Sequence, residues 1–446
     1  MERLVLLPAA VGVISLLALG CAMVSQPQAI PATDVPAPER VRLPNGLTVI
    51  LHEHRAADIV AVQLWVRAGA RDEAEAENGV SHFVEHLLFK GTPTRGPGTI
   101  DRQIAELGGE INAATSHDFT YYHLVLPARH LDTALEIVAD VAVNAAFDPA
   151  EIERERLVIL EEIRRQHDNP RASLWRSLAH THYTRHPYRR PVLGTPETIR
   201  ALDRERLLAY YRRYYVPNNM TLVLAGSLDR AAVLARVEQA LAPLAPRPLP
   251  EARIAPEPPL AEIRRAREER PVRQAYLGMA WPGPVVPDEA CYAMDLLASI
   301  LGQGRSSRLN QELKERQGLV SRIGASFYAQ REAGTITITA QADPARLGEV
   351  EHAVLREIDR IRRELVTPAE LERALTAVES GYAFGHETAE GAARSWGHAE
   401  TVWTLEHELR YLERLRRVTR EEIQRAAERY LAPDRFTVAV LTPPAS

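Results

Sequence analysis

Phe147-Asp148-Pro149-Ala150-Glu151-Ile152-Glu153-Arg154 returns 219 residues later as Val366-Thr367-Pro368-Ala369-Glu370-Leu371-Glu372-Arg373. Each copy sets a proline just inside a helix start, where its missing N–H is no loss, behind an Asp or Thr that can accept from the first free N–H groups. Shared capping chemistry could write such a pattern twice, but a duplicated domain accounts for it most simply. Working outward, residues 244–260 form a Pro-rich stretch that no helix or central strand can hold, so a linker is expected over 246–260. It separates a first domain, residues 38–245, from a homologous second, residues 261–446. The first opens with a hairpin, Val41 to Leu51 around Pro44-Asn45-Gly46, and a strand, Ile59 to Val66. Helical runs follow at Ile100–Leu107, Leu131–Val143 and Pro149–Arg165. Strands and helices mix without strict alternation, which predicts an α+β fold. The expected architecture is two homologous mixed domains facing each other across a cleft.

The 446-residue length and 46% hydrophobic content suit more than one globular core. The formal charge of −5 comes from 54 basic and 59 acidic residues that are interspersed, which excludes the basic field a nucleic-acid partner needs. Two cysteines, Cys21 and Cys291, give no disulfide framework. Residues 1–24 carry Arg3 and an uncharged run from Leu4 to Val24, read as a signal peptide or an uncleaved anchor. Leu17-Ala18-Leu19-Gly20-Cys21 resembles a lipoprotein lipobox, with Ala18 where that pattern prefers a larger aliphatic residue. The expectation is an exported, periplasmic protein, with membrane attachment through a lipidated Cys21 as the variant reading. Residues 25–37, rich in Pro, Gln and Ala, read as a flexible tether.

A short helix is predicted from Gly79 to Lys90, capped by Asn78 and stopped at Gly91. Val80, Phe83, Val84, Leu87 and Leu88 form its core stripe, leaving His82, Glu85 and His86 on the other side. Histidines four apart are neighbours on one face and can reach a single zinc ion. Among 15 histidines a chance His-x-x-Glu-His has a probability of roughly a few per cent, so the pattern needs a third ligand from elsewhere. The run Pro149–Arg165 offers Glu151, Glu153, Glu155, Glu161 and Glu162. At about 100° per residue, Glu155 and Glu162 share a line facing partly inward, whereas Glu161 points to solvent. Ligation is the stronger reading for Glu162.

These residues resemble the pitrilysin/insulinase metallopeptidases, which include the mitochondrial processing peptidases and bacterial relatives. In that family a Glu ligand follows the inverted motif by about 76 residues; here His86 to Glu162 is a step of 76. The resemblance implies one zinc per chain held by His82, His86 and Glu162, with Glu155 as the accessory acidic residue. It also implies that Gly108 to Asp118 holds the substrate-side edge strand, with Asn112, Ala113 and Thr115 meeting an extended peptide. The plainer reading of Asn112 is a strand-end cap. Resemblance extends over residues 38–440, including Gly304-Arg305-Ser306-Ser307-Arg308-Leu309.

Zinc with three protein ligands leaves a position open for water, and Glu85 beside it is placed to act as general base. One departure stands out. Active family members carry an Arg and a Tyr seven residues apart in the second domain, and Lys314 and Ser321 occupy those positions here. Lys lacks the planar fork and Ser the reach of Tyr. The expectation is therefore a zinc-bearing subunit of a heterodimer with a homologous chain that supplies Arg and Tyr. The alternatives are a self-sufficient homodimer and a non-catalytic binding or scaffold protein of the same fold.

Overall fold

The computed structural model describes residues 37–250 and 254–444. The N-terminal apolar stretch with Cys21, most of the tether and residues 251–253 of the linker lie outside the described residues.

The first half contains β1 (Glu39–Arg42), β2 (Thr48–Glu53), β3 (Ile59–Val66), β4 (Glu110–Thr115), β5 (Thr120–Pro127) and β6 (Met220–Gly226). Its helices are α1 (Val80–Leu88), α2 (Thr99–Glu106), α3 (Leu131–Asn144), α4 (Pro149–Asp168), α5 (Pro170–His182), α6 (Pro196–Ala201), α7 (Arg204–Tyr214) and α8 (Arg230–Leu241). The second half supplies β7 (Arg264–Glu269), β8 (Ala275–Gly283), β9 (Val320–Tyr328), β10 (Gly334–Ala342) and β11 (Thr437–Thr442). With them come α9 (Ala290–Gly302), α10 (Leu347–Arg363), α11 (Pro368–Gly385) and α12 (Ala389–Val402).

The sheets have orders β1-β2-β6-β3-β5-β4 and β7-β11-β8-β10-β9. Without the hairpin strand β1 the two orders superimpose, each with one parallel pair, β2 with β6 and β7 with β11. The fold is α+β and built twice. The starts of α4 and α11, and those of α5 and α12, are all offset by the 219 residues of the sequence repeat.

The strand Ile59–Val66 forms with the expected bounds and lies between β6 and β5. Successive side chains leave a strand on opposite faces. Val60, Val62, Leu64 and Val66 join the core under α1 and α3, while Ala61 and Trp65 enter a separate cluster with Ala392, Ala393 and Trp396 of α12. Both faces are covered, so the strand is apolar apart from Gln63, whose buried amide donates to the Glu390 carbonyl of α12 at 3.1 Å.

That second cluster shows an exchange of helices. α12 belongs to the second half but lies on the first sheet, against β2, β3 and β6. Reciprocally, α5 of the first half lies on β8 and β11, packing Leu174 and Leu178 against Ala280, Ala439 and Leu441. Each half thus buries one sheet face with a helix from the other, and the two halves form one compact unit. Gly397 permits this on one side: a Cβ there would lie 2.1 Å from Trp65 Nε1.

Candidate metal centre

Helix α1 begins without the expected Asn78 cap. Gly79 takes the N-cap position at φ 96°, and a Cβ there would lie 2.8 Å from the Leu193 carbonyl oxygen. Glu73 closes the helix start: its carboxylate accepts from Gly79 N (2.8 Å) and Ser81 N (2.9 Å), and from Asn78 Nδ2 (2.8 Å). An acid at this end also complements the helix dipole. Burial nonetheless outweighs these bonds and pushes the Glu73 pKa up to about 7. Asn78 instead donates its amide to Glu73 and to the Pro191 carbonyl. Sequence reasoning missed Glu73 because a carboxylate several residues upstream of the helix carries no local capping signature.

The core stripe of α1 is buried as expected, and His82, Glu85 and His86 share the face toward α4 and β4. In α4, Asp148 caps through Ala150 N (2.8 Å). Glu155 and Ile159 turn inward with Glu162 one turn further, whereas Glu161 pairs on the surface with Arg164 at 2.7 Å.

His82, His86 and Glu162 bring three ligand atoms within 4.8 Å of one another. Glu162 Oε2 lies 3.6 Å from His82 Nε2 and 3.7 Å from His86 Nε2, too far for hydrogen bonds. Ligands about 2.1 Å from a tetrahedral zinc stand about 3.4 Å apart, so these spacings fit the edges of such a site. The donor set also fits. Burial, with His86 beside it, holds the His82 pKa down to about 4, leaving a neutral ring able to ligate. His82 Nδ1 has no hydrogen-bond partner among the described residues. His86 differs: its Nδ1 donates to Glu155 Oε2 at 2.9 Å, which turns Nε2 toward Glu162. Burial opposes a charge on His86, but the carboxylates of Glu155 and Glu162 prevail and raise its pKa to about 9.

Glu155 therefore sits behind His86, its other oxygen 2.9 Å from Lys90 Nζ. Burial would raise its pKa, but His86 and Lys90 hold it below the usual range. Its two bonds fix the orientation of the His86 ring. Glu85 faces β4, where Thr115 Oγ1 donates to Glu85 Oε2 at 2.5 Å. Burial raises the Glu85 pKa, with the Thr115 bond opposing.

Among the described residues β4 is an edge strand, paired only with β5. Ile111 and Ala113 are half-buried against the first-half core, and Thr115 stands on the same face of the strand. Asn112 is exposed and accepts from the next backbone N–H, Ala113 N, at 2.9 Å. In the second half, Lys314 lies exposed on the helical segment Asn310–Arg316. Ser321, on β9, donates to Gln274 Oε1 (3.0 Å).

Residues 48–196 match the model of the insulinase family, peptidase family M16, and residues 201–378 match the model described as the peptidase M16 inactive domain. An uncharacterized zinc protease of Mycobacterium tuberculosis is 32% identical over 91% of this chain and 93% of its own length. The chain belongs to peptidase family M16. A second relative, an uncharacterized zinc protease of Streptomyces coelicolor, is 30% identical over 91% of this chain and 89% of its own length. The M16 fold recurs in a crystallised protease from Helicobacter pylori, with TM-score 0.87 and 23% identity, covering 92% of this chain and all of that one. A peptidase M16 inactive domain from Pseudomonas fluorescens superimposes at TM-score 0.84 with 21% identity, covering 92% and 99%.

Proposed function

We propose that this family M16 chain is a zinc-dependent endopeptidase that hydrolyses extended peptides or unstructured protein segments. The observation that carries the reading is the convergence of His82, His86 and Glu162, with Glu85 beside them and held by the edge strand through Thr115. When bound, the ion supplies Lewis acidity to water and to the scissile carbonyl. Glu85 takes the water proton during attack and returns it to the leaving amine. Thr115 occupies Oε2, so Oε1 is the oxygen free for that transfer, and burial keeps the carboxyl basic enough to perform it. Glu155 holds the His86 ring in one orientation and tautomer. The free edge of β4 pairs with substrate main chain, which aligns an extended peptide with little demand on its side chains.

Lys314 and Ser321 favour action as the zinc-bearing subunit of a heterodimer whose homologous partner supplies Arg and Tyr. The homodimer is the second reading. The basic start, apolar run and Cys21 support export to the periplasm, with lipid attachment as its variant. Hydrolysis of a mixed peptide pool by the purified chain, with zinc quantified, tests the reading. Chelator-sensitive cleavage lost in Glu85→Gln supports a self-sufficient peptidase, bound zinc without cleavage supports the missing subunit, and absence of zinc binding rejects the metal centre.

A further inference from the structure

We infer that Lys90 sets the metal affinity of the site as a positioning residue, acting through Glu155 on the ring of His86; this rests on the zinc-peptidase reading above. Its placement begins in the backbone. α1 ends at Leu88, and Lys90 N donates to the Leu87 carbonyl at 3.0 Å in the closing turn. The next carbonyl, that of Gly91, accepts from Ala146 N at 3.0 Å, which ties the end of α1 to the segment leading into α4. Lys90 Nζ makes a second tie between the same two elements, 2.9 Å from Glu155 Oε1.

Glu155 needs that tie. Its side chain is only 6% exposed, and its oxygens are shared out, Oε2 to His86 Nδ1 and Oε1 to Lys90 Nζ, each at 2.9 Å. A carboxylate held by one oxygen swings about its last bond, whereas bonds to both oxygens fix its plane and so the direction in which it holds the ring. A buried oxygen left without a partner also costs more than the bond it lost. Without Lys90, therefore, Glu155 turns toward water and loosens its bond to His86.

An ammonium near the ligands also repels a cation, so removing it has two effects of opposite sign on zinc affinity: it relieves repulsion and it frees the ring. The Lys90 side chain is 34% exposed, and water and salt screen its repulsion. The clamp acts on a buried oxygen, where nothing screens it, so the loss of orientation outweighs the relief and affinity falls. A lysine just past a helix C-terminus also complements the helix dipole, but that role contributes to stability alone and leaves the metal untouched.

The test measures zinc affinity of the full chain by competition against a chelator of known affinity. Lys90→Met should weaken zinc roughly threefold to tenfold, less than the loss that follows removal of the carboxylate itself. Lys90→Arg, which keeps the charge and a pair of donors, should restore most of the affinity, and Lys90→Gln repeats the measurement should the Met variant fail to fold. In a Glu155→Gln background Lys90→Met should change nothing further, because the clamp it belongs to is already gone. A rise in affinity on Lys90→Met assigns a purely electrostatic role and overturns the inference. Unchanged affinity, or an equal loss with and without Glu155, makes Lys90 a helix-end charge and overturns it as well. A starting chain that takes no zinc overturns the metal-centre reading and this inference together, whereas zinc held by the starting chain with no effect at Lys90 overturns the inference alone.

Discussion

Glu155 and His86 form a 2.9 Å hydrogen bond from the ring Nδ1 to the carboxylate Oε2, reaching from α4 to α1. The other Glu155 oxygen is tied to Lys90, one turn beyond His86 on the α1 side, so the carboxylate is fixed at both ends. With Nδ1 held in this way, the ring turns Nε2 toward Glu162. His82 has no such support among the described residues, which makes His86 the ring whose orientation is set in advance.

Glu155→Gln should therefore lower zinc affinity by roughly 10- to 100-fold, the usual effect of removing a carboxylate behind a ligating histidine. Competition against a chelator of known affinity measures it. Unchanged affinity would show that α1 alone orients the ring.

Glu85→Gln should leave zinc binding intact and reduce peptide cleavage by about 10²- to 10⁴-fold, the range of a lost general base. Parallel metal analysis and peptide hydrolysis separate the two effects. Retained turnover would assign proton transfer to another group.

At Gly397 the ordinary helical preference should reverse. Alanine normally stabilises a helix interior by about 0.5–1 kcal/mol over glycine. Here its Cβ would press on buried Trp65, so Gly397→Ala should cost about 1–3 kcal/mol, as overpacking does. Denaturant unfolding reports the sign, and stabilisation would mean that α12 is free to shift on the first sheet.

Asp295 and Glu408 give a pH signature. Burial raises the Asp295 pKa to about 7; burial, then the neighbouring Asp295, raises that of Glu408 to about 7. Unfolded carboxyls titrate near pH 4, so between about pH 4 and 7 the folded state holds more protons. Their contribution to stability falls as pH rises through that window and is level above it. Asp295→Asn should flatten this part of the pH profile, measured by denaturant midpoint. An unchanged slope would mean that the pair is solvated.

Loosening the start of α1 should weaken the metal centre. Glu73→Ala strips an acceptor from two backbone N–H groups and the Asn78 amide, which should cost about 1–3 kcal/mol. Because these groups sit at the start of the helix carrying His82, zinc affinity should fall with stability; chelator competition beside unfolding curves checks it. Loss of stability with native zinc affinity would place the clamp outside the metal centre's control.

By itself the sequence determined what is local. Four-residue spacing puts His82 and His86 on one helical face whatever surrounds it, the α4 periodicity turns Glu155 and Glu162 inward, and the repeated Pro-Ala-Glu segments mark a duplication. Backbone geometry alone enforces such relations, so they can be read without knowing the neighbours. Tertiary structure decided the rest. That β6 slots between β2 and β3, that Glu73 and not Asn78 closes α1, and that α5 and α12 each cover the other half's sheet are pairings between segments far apart in the chain. Apolar burial is non-directional, so Leu178 and Trp396 announce that they will be buried but not against which sheet; only shape, such as Gly397 beneath Trp65, settles the partner.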